Sequence, residues 1–215
     1  MTESLVERSQ APRRSSARPP LLVLMHGIGA DENDLFPLAS EFDPRLHVVS
    51  LRAPHDYVVG HAWFPIEFRN DGSVIPDIRT ARSALDALTR WIEAAPGRLG
   101  TDPARTFLLG FSQGAMMSLG ALINVPERLA GVIALSGRFA PTLFDAKAPA
   151  EAIARVPLLV AHGTFDDVLP IEHGRGVRDA FEGRVSDFTY REFRIGHGID
   201  AEEIELIAGW IAARL

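Results

Sequence analysis

Residues 106–118 read TFLLGFSQGAMMS. The opening TFLL has the length and apolarity of a buried strand. Residues 113–123 are apolar nearly all round, as expected of a helix packed against a sheet. Between them Gly110-Phe111-Ser112-Gln113-Gly114 fits G-x-S-x-G. A serine at a tight strand-to-helix turn is held in a strained conformation, and the flanking glycines let strand and helix backbones approach without a Cβ between them. The helix behind it offers free N–H groups and a positive dipole end to a developing oxyanion. Ser112 is therefore the candidate nucleophile, and the amide of Gln113 the first candidate oxyanion donor.

Outward from this segment, short apolar runs alternate with helical patterns. The runs are Leu21–Met25, His47–Leu51, Thr106–Leu109, Val132–Leu135, Pro157–Ala161 and Phe188–Phe193. Most are near-continuous in Val, Leu and Ile, which suits parallel strands covered on both faces; the last alternates more, as a strand near a sheet edge does. In Pro76–Ala95 the residues Ile78, Ala81, Leu85, Leu88 and Ile92 step by three and four and share one helix face, with Pro96-Gly97 expected to end the helix. The last helix opens on Asp200 as cap, with Glu203 at its third position and Ile199 and Ile204 flanking like a hydrophobic staple. The alternation predicts an α/β fold with a mostly parallel, doubly wound sheet and helices on both faces. No long apolar insertion suggests a large lid. Residues 1–20, rich in Arg, Ser and Pro, are expected to be a mobile N-terminal arm, and 21–215 a single α/β domain.

The 215 residues are 47% hydrophobic, enough for one sizeable core, and 23% charged. A net charge of −6 is the wrong sign for a nucleic-acid footprint. With no cysteine in the chain there are no disulfides, thiolate metal sites or cysteine nucleophile. Arg13-Arg14 is followed by Ser15, Ser16 and Pro19-Pro20, and Leu21–Met25 is too short to serve as an export signal core or to span a bilayer. The expectation is a cytoplasmic protein with a small-molecule partner, no nucleic acid and no stable membrane insertion. Homodimerisation is left open.

A serine nucleophile needs a base. His197, in Ile195-Gly196-His197-Gly198, lies on an open loop between the last strand and the capped helix, at the strand end where open α/β sheets place their sites. His26 and His162 also end strands and are each followed by Gly, a repeated pattern that suggests support of site loops. His47, His55, His61 and His173 lack such a setting. The chain order serine, acid, histidine points to the segment 162–170, HGTFDDVLP, where Asp166 and Asp167 stand side by side and spacing does not choose between them. A second oxyanion donor should come from the loop after an early strand, His26-Gly27-Ile28-Gly29. The Ile28 amide is favoured there, with Gly29 the fallback.

These residues resemble the phospholipase/carboxylesterase family of α/β-hydrolases, which includes the acyl-protein thioesterases. The matching blocks are HGIGADEND (26–34), RAP (52–54), AWFPI (62–66), GFSQGAMMS (110–118), HGTFDDVLP (162–170) and GHGI (196–199), in family order and bracketing nearly everything after the N-terminal arm. The resemblance implies an α/β-hydrolase fold and maps the family's acidic residue onto Asp166. It places the oxyanion donors at the Ile28 and Gln113 amides and makes Trp63 and Phe64 a substrate-side aromatic pair. GFSQGA stands for the GFSQGG of many thioesterase members, and GHGI for their GHEI. The expected activity is a serine carboxylesterase for short- to medium-chain esters, needing no metal and no organic cofactor. A thioester or lysophospholipid substrate for the same triad is the first alternative, and a non-catalytic binding module on a hydrolase scaffold the second.

Overall fold

Apolar runs without polar interruption can be buried only where both faces of a sheet are covered. The computed structural model, which describes residues 5–68 and 74–215, places each run so. The described strands of the main sheet are β1 (Glu7–Gln10), β2 (Leu21–Met25), β3 (His47–Leu51), β4 (Thr106–Phe111), β5 (Gly131–Leu135), β6 (Leu158–Gly163) and β7 (Phe188–Phe193). They lie in the order β1-β3-β2-β4-β5-β6-β7. Strands β3 through β7 pair in parallel, and β1 joins the β3 edge antiparallel. The alternating strand at the far edge is β7.

The period-two alternation of the strands divides the core. Leu21, Val23, Met25, Leu108, Val132 and Val160 face one layer, with helices α1 (Ile78–Leu99), α2 (Gln113–Leu122) and α4 (Glu172–Phe181); the short helix α3 (Ala150–Ile153) lies on the same side. Leu22, Leu24, Phe107, Leu109, Ile133 and Leu159 face the other, against Leu35, Phe42 and the Ile207, Trp210 and Ile211 face of α5 (Ala201–Ala212). Burying each such side chain contributes roughly 1.5–3 kcal/mol. Two layers of helix on one parallel sheet are the α/β-hydrolase architecture.

Two expectations are corrected. The segment read as a mobile arm supplies β1: Glu7 to Gln10 pair with Leu51 to Val48, and the Glu7 carboxylate accepts from Arg98 at 2.6 and 2.7 Å and from the Trp91 indole at 2.8 Å. A polar ERSQ strand carries no hydrophobic period, but it covers the open backbone edge of β3. Helix α1 also runs past Pro96 to Leu99. Proline there removes one N–H and crowds the preceding turn. The final turn is retained because Leu99 still packs on the core, and Gly100, at φ 68°, and Thr101 both donate to the Pro96 carbonyl. Asp77 caps the start of α1, accepting from the Thr80 amide at 2.9 Å. Asp200 does the same for α5 through the Glu203 amide, also at 2.9 Å. Among the described residues no helix is long and apolar enough to cross a membrane.

Candidate active site

Parallel strands end on the same side, so the loops after β2, β4, β6 and β7 meet at one edge of the sheet. Ser112 occupies the turn between β4 and α2 at φ 54° and ψ −114°, a conformation that costs a non-glycine residue on the order of 1–3 kcal/mol. The turn is held from outside: the Ser112 amide donates to Leu135 O at 2.9 Å, on the neighbouring strand. Gly114 is required two residues on, since a Cβ there would sit on the Met25 carbonyl. The hydroxyl itself has no hydrogen-bond partner among the described residues.

Asp166 and His197 are directly bonded. The imidazole Nδ1–H donates to Asp166 Oδ2 at 2.7 Å, which leaves Nε2 as the free acceptor. Asp166 is buried, and its Oδ1 accepts the Val168 and Leu169 amides at 3.0 and 2.8 Å. Burial pushes this carboxyl up; the bonds from His197, Leu169 and Val168 together outweigh it and leave the pKa below the ordinary value. Asp167, its neighbour, is exposed. The two loops are packed closely enough that Gly163 faces the Ile195 and Gly196 carbonyls with no room for a Cβ, and the Phe165 amide donates to Ile195 O at 3.0 Å. His162 stands behind Asp166. Its Nε2–H donates to Leu169 O at 2.7 Å and lies 3.4 Å from Asp166 Oδ2. The Phe111 ring, next to Ser112, packs against the His197 ring with centroids 4.8 Å apart and planes tilted by 45°, joining the serine loop to the histidine loop.

The loop after β2 reaches the same place: a Cβ on Gly27 would lie 3.1 Å from that of Ser112. The Ile28 and Gln113 amides donate to no acceptor among the described residues, while the Gly29 amide is taken up by His61 O at 2.8 Å. The sequence left Gly29 as a fallback donor; its amide is already engaged. Both free amides therefore belong to loops that meet around Ser112.

Trp63 and Phe64, expected on the substrate side, are 0% and 1% exposed and sit in the core layer that contains α2. Their aromatic character fits either environment, and the packing against the sheet takes them inward. Their backbone is bound instead by the Gln113 side chain, whose Oε1 accepts from Trp63 N at 2.9 Å and whose Nε2 donates to Phe64 O at 2.7 Å. Sequence reading missed this role of the Gln113 side chain. It also missed Ser136, at φ 46° directly after β5, for which a Ser-Gly pair after an apolar run gives no distinctive signal. A groove of about 330 Å³ opens beside His197, lined by Asp34, Leu35, Leu38, Phe111, Gly198 and Ile199. A larger apolar cavity of about 420 Å³, between Ile123, Phe139 and Phe181, touches none of these site residues. No group of three or more His, Asp or Glu side chains among the described residues is arranged to hold a metal ion.

Known proteins share this arrangement of chain. The family model described as Phospholipase/Carboxylesterase matches residues 8–215. The chain is 28% identical to acyl-protein thioesterase 1 of Kluyveromyces lactis, over 72% of this chain and 69% of that one. It is 26% identical to the esterase YpfH of Escherichia coli K12, over 86% and 78%. Among solved structures, esterase PE8 superposes with a TM-score of 0.81 at 27% identity, over 99% of this chain and 100% of that one. With a family match that spans all but the first residues and a fold to go with it, the chain belongs to the phospholipase/carboxylesterase family of α/β-hydrolases and is an ester hydrolase.

Proposed function

We propose that the chain is a serine carboxylesterase acting on short- to medium-chain esters through an acyl-enzyme on Ser112. The observation that carries this reading is the strained Ser112 turn, at φ 54°, sharing a loop cluster with an Asp166–His197 pair bonded at 2.7 Å. Ser112 Oγ attacks the acyl carbon while its proton passes to His197 Nε2. Asp166 holds the imidazole in the tautomer that can accept this proton and stabilises the resulting cation. The carbonyl oxygen becomes an oxyanion between the Ile28 and Gln113 amides, each such donor being worth ~3 kcal/mol of transition-state stabilisation. Collapse breaks the bond to the leaving alcohol, which takes the proton from His197. Water then attacks the acyl-enzyme by the same route, releasing the acid and restoring Ser112.

The substrate range is supported by the groove beside His197. At about 330 Å³ it lies at the small end of the ~300–1,000 Å³ usual for ligand sites, and Leu35, Leu38, Phe111 and Ile199 give it apolar walls. Relatives named acyl-protein thioesterase 1 favour a thioester as the second reading, since the same triad expels a thiol as readily as an alcohol. A cytoplasmic location belongs to the same proposal, and the cysteine-free composition is compatible with it. The test is a profile of kcat/KM for oxygen esters and thioesters across acyl lengths. The proposal expects an optimum at short to medium oxygen esters; a preference of tenfold or more for long-chain thioesters would replace it with the second reading.

A further inference from the structure

An oxyanion donor works only if it is aimed before the charge develops. No main-chain hydrogen bond among the described residues joins the 26–29 loop to the Ser112 turn, so the direction of the Ile28 N–H must be set by something else. The peptide unit that carries this N–H has Gly27 O as its carbonyl oxygen. A peptide is planar and, with no cis bond in the described chain, its C=O and N–H point opposite ways. Whatever grips Gly27 O therefore fixes the aim of the Ile28 N–H.

Two groups reach it: the Ala30 amide, in a long bond at 3.4 Å, and the ring of His26, whose bond is much the shorter. The Ala53 amide donates to His26 Nε2 at 3.0 Å, so Nε2 is the acceptor and the ring proton is on Nδ1. Nδ1–H then donates to Gly27 O at 2.7 Å. The ring is 0% exposed, and Trp63 Nε1–H anchors its backbone through His26 O at 2.9 Å. Trp63 is in turn tied to Gln113, the other donor residue, through the bond between its amide and Gln113 Oε1. We propose that His26 is a positioning residue that orients the Ile28 N–H, through a line of hydrogen bonds from Ala53 N–H across its imidazole to Gly27 C=O. Aligned bonds of this kind polarise one another, so the line also strengthens Ile28 as a donor. Burial, the largest influence on this imidazole, lowers its pKa and keeps it in the neutral form that the arrangement requires. The inference rests on the serine esterase reading above.

The experiment compares wild type, His26→Leu and His26→Asn. Asparagine places an N–H near the position of Nδ1 and restores the bond to Gly27 O, whereas leucine removes both ring nitrogens. His26→Leu is expected to lower kcat by about 10²-fold with KM little changed, and to weaken a trifluoromethyl ketone inhibitor, which forms the oxyanion, by a similar factor. His26→Asn should recover most of both losses even where its melting temperature matches that of the leucine variant. A folded His26→Leu with wild-type kcat and inhibitor affinity overturns the proposal. If leucine prevents folding, a folded His26→Asn with losses as large as about 10²-fold overturns it equally. Ser112→Ala retaining turnover would bring down the esterase reading together with this inference, whereas a Ser112-dependent enzyme indifferent to His26 would bring down the inference alone.

Discussion

Glu203→Gln is expected to stabilise the protein by an amount that grows with pH. Glu203 lies three residues past the Asp200 cap of α5, is 1% exposed, and has no hydrogen-bond partner for either carboxylate oxygen among the described residues. Burial, with a smaller contribution from Asp200, pushes its pKa up from 4.5 to about 8. The folded chain therefore holds a proton that the unfolded chain has released between those two values. Stability must then fall as pH rises across the window, and level off above about 8. At ~1.4 kcal/mol per pH unit the full span corresponds to ~5 kcal/mol, an upper bound that water entry and local relaxation reduce to ~2–3 kcal/mol. Glutamine removes the titration and leaves the bond from the 203 amide to Asp200 intact. Its own unpaired amide adds a constant offset, so the pH slope is diagnostic rather than the absolute value. Urea unfolding at pH 5, 6, 7, 8 and 9 reads the difference in stability. A gap between wild type and variant that widens from pH 5 to 8 and then stays constant is the expected result. Parallel curves across the whole range would mean that the folded chain holds no extra proton at Glu203.

Asp166→Asn should lower kcat by ~10⁴-fold, as loss of the orienting carboxylate does in related triads, whereas Asp167→Asn, at an exposed position, should change it little; steady-state kinetics on both decides the assignment. The lowered pKa of Asp166 means that its contribution to stability is complete above the ordinary carboxylate range and is lost as pH falls through the folded value. Acid unfolding of Asp166→Asn should therefore be less steep than that of wild type. Gly114→Ala forces a Cβ onto the Met25 carbonyl and should prevent folding or cost several kcal/mol in urea unfolding, at the upper end of single-site effects of ~4–5 kcal/mol. Leu38→Trp fills part of the groove beside His197. It should lower kcat/KM for hexanoyl esters by at least ~10-fold while sparing acetyl esters, each excluded CH₂ being worth ~0.8 kcal/mol.

The central strands were legible because burial on both faces writes itself as unbroken Val, Leu and Ile. Leu21–Met25 and His47–Leu51 have the bounds read from the sequence, and so does the edge strand Phe188–Phe193, which its alternation marked instead. Strand β1 was not legible, since an edge strand needs backbone pairing and not apolar side chains. The end of α1 was misread because Pro96 weighs against a helix locally, while the packing of Leu99 is a tertiary fact. At the site, Ser112, Asp166 and His197 each lie in a short segment whose residue types are dictated by local chemistry. The resemblance, not the spacing, chose Asp166 over Asp167. The resemblance placed Trp63 and Phe64 on the substrate side; an aromatic suits a pocket wall and a core equally well, and only the packing separates the two. The His-Gly repeat at 26 and 162 marked both histidines as loop supports. What each ring grips, Gly27 O in one case and Leu169 O in the other, depends on the folded geometry.

Whether Ser112 is the acylated nucleophile is decided by mass spectrometry after reaction with a fluorophosphonate probe. One adduct per chain is expected, on the peptide that contains Ser112, formed in step with loss of hydrolysis and absent from Ser112→Ala. An adduct on any other residue, or near-native turnover by Ser112→Ala, would contradict that assignment.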